Sequence, residues 1–508
     1  MTTSDPPPGP APNSLRTVHV AVTTGALQFV ALLLMLARSK VFAVLLGPLG
    51  VGIVSTLDQL VQFIVQVSSF GLTMAPARVV PRVAGQGSDA VGRIYRALLL
   101  TLLLVVVAAS VVAMVVAFTN SHLLAPSLSV SGGVVAIAIA TVPVTALALF
   151  FTSMLSVTAG HRSAMLFVFV SSALSLAFGY VGVRANGIGG LYVGSLVAGG
   201  VMAFAAAWRL ARLWPSGSGV GVAGVWPELR QHGRLAAFLG TQYVLSFAQP
   251  LAFLLVRSVM VSQRGPAEAG HFQAVFATAG VFSMLLTQAG RLYFEPQVNR
   301  ESVPQARAVL AHEYFRIISG LMVLGALPLV LFPDLAVRAL FSAEFLPAAP
   351  CLFLFVLADC LLVGGTVYLT TLRAQDDLAW SFWIGLGSNV TLAAAAWLLI
   401  PRWGLAGAAG AFVIARALSI GIAVVRLRAV SRTALPGSTM RALLYLVSCV
   451  ALLGSVVSVS MRDSTPGLAL RIALLAACLG GAVTMLDADE RRWLRDSAAR
   501  WLGRLRSR

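Results

Sequence analysis

Charge is scarce in this sequence. Asp, Glu, Lys and Arg together make up 11% of its 508 residues, against 58% hydrophobic residues. A soluble domain carries about a quarter charged residues, so this composition excludes one. A mean hydropathy of +0.89 requires a polytopic membrane protein instead. Cysteine is also scarce. Cys351, Cys360, Cys449 and Cys478 all fall inside apolar runs, with no CxxC or Cys/His spacing. That pattern excludes a thiolate metal centre and reads as small buried hydrophobes, so no metal or other cofactor is expected. Lysine is nearly absent: Lys40 stands alone against 35 arginines. With 18 acids the net charge is +18, which in a soluble chain would suggest nucleic acid. Here the arginines crowd the short links between apolar runs, and no nucleic-acid partner is expected. Long outer loops are missing as well: none exceeds about 20 residues, and none carries an acid–His or Ser–His–Asp set, so no enzyme is expected.

What is present is a series of apolar runs. A bilayer core of roughly 30 Å takes about 20 helical residues, and helix is required because unpaired backbone groups are costly in lipid. The runs 17–40, 50–71, 96–118, 133–158, 163–183, 189–208, 235–260, 269–290, 316–333, 350–372, 379–400, 404–425, 441–460 and 467–486 meet that length, giving an all-α fold of about fourteen transmembrane helices. The polar, proline-rich start reads as a disordered tail over 1–15, with no short cleavable signal. With the N-terminus inside, cytoplasmic segments hold 26 of the 36 basic residues, outer loops six, and the spans four (Arg38, Lys40, Arg257, Arg416). This asymmetry puts both termini in the cytoplasm.

Two landmarks recur. Gly47-Pro48 returns as Gly265-Pro266, about 218 positions on, and NGIGGLYVG from Asn186 returns as WGLAGAAGA from Trp403 at nearly the same offset. Between them, Pro76 and Arg82 map onto Phe294 and Arg300. Common order and spacing imply duplication of a six-span unit. Because six is even, the two copies are parallel repeats, related by a pseudo-two-fold axis along the membrane normal. The expected organisation is an N-lobe over 16–212, a linker over 213–234, a C-lobe over 235–428, two further helices in 429–487 and a basic tail over 488–508.

Polar groups inside spans are costly and normally face protein or a wet cavity. Asp58, Gln62 and Gln66 recur every four residues, along one helical face. Gln242, Ser246, Gln249 and Arg257 line another face, where Pro250 is expected to kink the helix. Asp359, Thr366, Thr370 and Arg373 share a third, and Gln288, Arg291 and Glu295 a fourth. Two readings stand. The stripes face a hydrated cavity between the lobes, or they join helices by hydrogen bonds. Arg38 and Lys40 lie either in the outer half of one long first helix or at the outer headgroups, by snorkelling. On the cavity reading, Arg38, Lys40, Gln62, Gln66, Gln242, Gln249, Arg257 and Arg291 form a substrate site suited to an anion, above all a phosphate. Asp58, Glu295 and Asp359 are then the acids placed to couple an ion.

Several stretches resemble Wzx-type oligosaccharide flippases of the MOP exporter superfamily. They are ARSKVFAVLLGPLGVGIVSTLDQLVQFIVQVSSFG from Ala37, AGHFQAVFATAGVFSMLLTQAGRLYFEPQVNR from Ala269, LFSAEFLPAAPCLFLFVLADCLLVGG from Leu340, and IPRWGLAGAAGAFVIA from Ile400. The resemblance covers about residues 15–425. It implies two six-helix lobes around a cationic cavity in the bacterial inner membrane. The implied substrate is an undecaprenyl-diphosphate-linked glycan, moved from the inner to the outer leaflet. The implied partners are that glycan, the bilayer, H+ or Na+, and a glycan polymerase with other export proteins. Lys40 matches the family's first-span basic residue and Asp359 the acid of its Gly-Asp pair, although Ala358 replaces the glycine. Spans 13 and 14 resemble lipid-II flippases of the same superfamily, which is the alternative reading. A multidrug-type cation antiporter is a further one, disfavoured by the excess of arginine.

Overall fold

The computed structural model describes residues 14–83, 85, 87–119, 130–213, 233–434, 436–460 and 478. For residues 14–29, 78, 82, 161, 213, 233–242, 292 and 455–460, the description extends to the backbone alone. Residues 1–13 of the expected tail (1–15), residues 214–232 of the expected linker (213–234), the span 467–486 apart from Cys478, and the basic tail over 488–508 lie outside the described residues.

The described residues are helical, without strands. In chain order the helices are α1 (Ser14–Ser69), α2 (Ala75–Val83), α3 (Ser88–Thr119), α4 (Gly132–Ala140), α5 (Val142–Thr158), α6 (His161–Leu213), α7 (Gly233–Arg264) and α8 (Pro266–Ala289). A π-helical turn, Gly290–Phe294, leads into α9 (Glu295–Arg300), α10 (Pro304–Leu331) and α11 (Pro333–Leu340). A 3-10 segment, Ala343–Cys351, precedes α12 (Leu352–Ala374), α13 (Leu378–Ser431) and α14 (Gly437–Ser460). Every expected span up to 441–460 has a helix over it, and ten helices among the described residues are long and apolar enough to cross a membrane.

Three of those ten far exceed a bilayer's width, and each contains a break. In α1 it falls at Gly47 (φ 62°, ψ −176°), in α6 at Asn186 and Gly187 (φ 53°, ψ −135°), and in α13 at Gly404 (φ 51°, ψ −125°). Each therefore holds two of the expected spans. The break residues are the repeated landmarks. Gly265, the partner of Gly47, has φ 88° and ψ 166° and separates α7 from α8. Gly187 and its partner Gly404 agree within 10° in both angles. Positive φ costs glycine little and other residues much, which explains why these positions stand out in both copies.

The contacts made at the breaks repeat too. A Cβ on Gly190 would lie 1.9 Å from the carbonyl of Gly182, and one on Gly407 would lie 2.3 Å from that of Leu399. Both pairs span eight residues, at the repeat offset from each other. Small residues at these points let the two half-helices close on one another.

The chain forms two compact units. The first comprises Met1–Leu45, Leu60–Ala125 and Ser129–Phe247; the second comprises Leu46–Gln59, Pro126–Leu128 and Ala248–Arg508. The division departs from chain order at two helices. The Leu46–Gln59 stretch of α1 joins the second unit, and the start of α7 joins the first. Within the first unit, Tyr243 of α7 stacks on Phe70 at 4.9 Å and donates its hydroxyl to the Val67 carbonyl at 2.9 Å. The second unit has a densely aromatic interior, in which Phe272 and Phe276 of α8 meet Phe355 of α12 and Phe412 of α13. Such pairs add about 0.5–1.5 kcal/mol each beyond the area they bury.

Candidate functional site

The second unit gathers charged side chains at three levels. The first is the crossing of α1 and α8. A Cβ on Gly52 would lie 1.8 Å from the Pro266 carbonyl oxygen, and one on Gly270 would lie 1.9 Å from that of Pro48. Gly52 and Gly270, like Pro48 and Pro266, are equivalent positions of the repeat. Each copy thus presents the same glycine to the same carbonyl of the other, the reciprocal pattern of a two-fold contact. Glycine is required on both sides because only hydrogens fit between the backbones.

Arg257 of α7 sits beside this crossing. It is 6% exposed, lies 5.7 Å from the Phe272 ring centroid, and donates to the Ser55 carbonyl and, at 2.5 Å, to Oε1 of Gln273. Ser55 and Gln273 are again equivalent positions at the repeat offset, so one guanidinium reaches both. Gln59 answers from α1, donating Nε2 to the Pro250 carbonyl at 3.2 Å. Sequence reasoning grouped Arg257 with the substrate ligands. Its hydrogen-bond partners in the structure are protein groups on α1 and α8. Gln273 was missed, although the repeat offset from Ser55 points to it.

The second level centres on Asp359 of α12. Ser283 of α8 donates its hydroxyl to Asp359 Oδ2 at 2.9 Å, and Arg416 of α13 interacts with the carboxylate electrostatically. Three helices therefore converge on one intramembrane acid.

The third, around His271, was not legible in the sequence. His271 places Nδ1 3.2 Å from Glu268 Oε2 and Nε2 3.3 Å from the Glu344 carbonyl. Both partners are acceptors. A neutral imidazole has one N–H and satisfies one of them, whereas the imidazolium satisfies both. Arg264 donates to the Pro401 carbonyl at 2.8 Å, and a cleft of about 480 Å³ opens beside it, lined by Glu268, Cys351, Arg402 and Gly404 among others. The i, i+3 spacing of Glu268 and His271 was the available signal.

The other expected site residues are spread more widely. Asp58 is exposed and belongs to the second unit, while Gln62 (exposed) and Gln66 (half-buried) belong to the first. The three share a helical face, with Leu57, Leu60, Val61 and Val65 buried behind it. Helix α1 runs unbroken through Arg38 and Lys40 to Gly47, as the single-helix reading required. Arg38 is half-buried, 5.5 Å from the Phe42 ring centroid, and Lys40 is exposed. Gln249 is exposed in the second unit, and the side chain of Gln242 lies outside the described residues. Arg291 and Glu295 are exposed, but the face shared with Gln288 does not continue. The π turn at Gly290–Phe294 winds five-residue hydrogen bonds and shifts the register between them.

No family model and no curated protein matches the chain. Solved structures do. The chain is similar to the lipid II flippase MurJ in an inward closed conformation, with a TM-score of 0.65 at 12% identity, over 91% of this chain and 98% of that one. It is similar to a multidrug resistance MATE family transporter of the MOP superfamily in an inward-facing conformation, with a TM-score of 0.58 at 15% identity, over 80% and 96%. It is also similar to a MOP superfamily transporter from Pyrococcus furiosus, with a TM-score of 0.53 at 14% identity, over 86% and 96%. These likenesses show that the chain shares the fold of these solved structures.

Proposed function

We propose that the chain is a flippase that carries an undecaprenyl-diphosphate-linked oligosaccharide from the inner to the outer leaflet of the bacterial inner membrane by alternating access. The observation that carries this reading is the extent of the likeness to the lipid II flippase. It runs over 91% of the chain, against 80% for the multidrug transporter. Helix α14, which follows the twelve duplicated spans, packs on α10 and α12 as part of the second unit.

The chemistry agrees. Cationic drugs need an acidic site, whereas Arg38, Lys40 and Arg291 are cations suited to a diphosphate. Gln62, Gln66, Gln242 and Gln249 offer donors and acceptors to sugars. In this scheme Arg257 positions helices rather than touching substrate. Asp359, with Ser283 and Arg416 around it, is the acid best built to exchange a proton or Na+ during the return step, with Asp58 and Glu295 as further candidates. Membrane potential supplies about 2.3 kcal/mol per charge per 100 mV as an alternative drive. The likeness to MurJ favours one further reading, in which the glycan is that of lipid II.

Mass spectrometry of polyprenyl-linked intermediates in a deletion strain tests the proposal. A completed undecaprenyl-diphosphate oligosaccharide should accumulate; accumulation of lipid II selects the second reading. Unchanged intermediates together with new sensitivity to cationic drugs would overturn both.

A further inference from the structure

A groove of about 510 Å³ runs along the C-terminal turns of α13 beside the start of the same helix. Leu418, Gly421, Ile422 and Val425 line it at i, i+3, i+4 and i+7, one face of the helix. Its wall is almost wholly apolar, and its size is that of a small-ligand site. One end is different. Arg426 donates Nε to Asp377 Oδ2 at 2.6 Å, and its guanidinium carbon lies 5.0 Å from the Trp380 ring centroid. Two partners thus fix the guanidinium plane, and the two terminal nitrogens remain as donors. A pre-positioned guanidinium of this kind suits a phosphate, because little further ordering is needed on binding.

The surroundings supply charge complementarity. Arg428 and Arg432 are exposed at the same end of the helix, so this end carries three arginines, and the two acids Asp376 and Asp377 precede the helix start. By the arginine count this is the cytoplasmic side, where anionic headgroups attract basic residues at about 1 kcal/mol each. Trp380, 43% exposed, is the residue type that settles at headgroup depth.

We propose that this groove binds an anionic phospholipid of the surrounding bilayer, with its phosphate on Arg426 and one acyl chain along Gly421. The proposal is independent of what the chain transports. Gly421 allows a clean test, because a Cβ there meets nothing within 4 Å and its φ is ordinary. Gly421→Leu therefore fills the groove without disturbing the helix, and an unchanged unfolding temperature in detergent checks this. Native mass spectrometry with added phosphatidylglycerol or phosphatidylcholine provides the readout. Wild type should retain phosphatidylglycerol preferentially. Gly421→Leu should lower that retention about tenfold, equivalent to about 1.4 kcal/mol. Arg426→Gln should abolish the preference between the two lipids. Equal retention of both lipids by wild type, or undiminished retention by Gly421→Leu, overturns the proposal. So does displacement of phosphatidylglycerol by undecaprenyl phosphate at lower concentration, which would assign the groove to a polyprenyl chain.

Discussion

Arg257 and Arg291 are both arginines near the ends of apolar spans, and they do different things. Arg257 is buried and donates to Ser55 and Gln273; Arg291 is exposed on the π turn. Arg257→Ala removes two charge-assisted hydrogen bonds, each worth about 1.5–3 kcal/mol. It should lower unfolding stability in detergent by about 3 kcal/mol. Arg291→Ala should leave unfolding unchanged and reduce glycan export. Equal effects on stability would contradict this separation. At Asp359, the Asn variant should alter the proton or sodium dependence of transport in vesicles, and Ser283→Ala, which deletes one donor to the same carboxylate, should shift it less. An unaltered ion dependence in Asp359→Asn would clear this acid of coupling. Arg257 and Asp359 were legible in the sequence because a charge inside an apolar run is conspicuous. Ser283, Gln273 and the Glu344 carbonyl were not. A hydroxyl, an amide or a backbone group in such a run carries no mark until helix rotation and packing are known.

The helices themselves were largely legible, since length and hydropathy decide what crosses a bilayer. The repeated Gly-Pro and Asn-Gly strings marked the breaks in α1 and α6, and WGLAG marked the one in α13. The π turn was not visible, because one extra residue per turn alters phase without altering composition. It undid the expected alignment of Gln288, Arg291 and Glu295. The crossing of α1 and α8 offers the sharpest test at this scale. Gly52→Ala or Gly270→Ala sets a methyl group less than 2 Å from a backbone oxygen, and backbone yields less readily than a side chain. Each should destabilise the protein by about 1–3 kcal/mol, by a similar amount in the two variants because the contact is reciprocal. Gly320→Ala, in α10 with open space around it, should be neutral. Thermal unfolding of the three variants decides it; a tolerated Gly52→Ala would mean that the helices do not meet as described.

Across the molecule, the landmark strings of the sequence recur as landmarks of the structure. Landmark glycines adopt matching backbone angles, half-helices close at matching points, and Gly52 and Gly270 exchange the same contact. This symmetry was foreshadowed by the offset of about 218 residues. The allotment of Leu46–Gln59 to the second unit was not, because it depends on packing across the repeat rather than along the chain. The central functional claim is that this duplicated fold moves a lipid-linked diphosphate. It is tested most directly by reconstituting the purified protein in liposomes that carry a fluorescent undecaprenyl-diphosphate oligosaccharide in one leaflet. The account predicts protein-dependent appearance of the sugar in the opposite leaflet, reduced by Arg291→Ala. Retention of the glycan in its original leaflet, while the same vesicles exchange cationic drugs for protons, would contradict it.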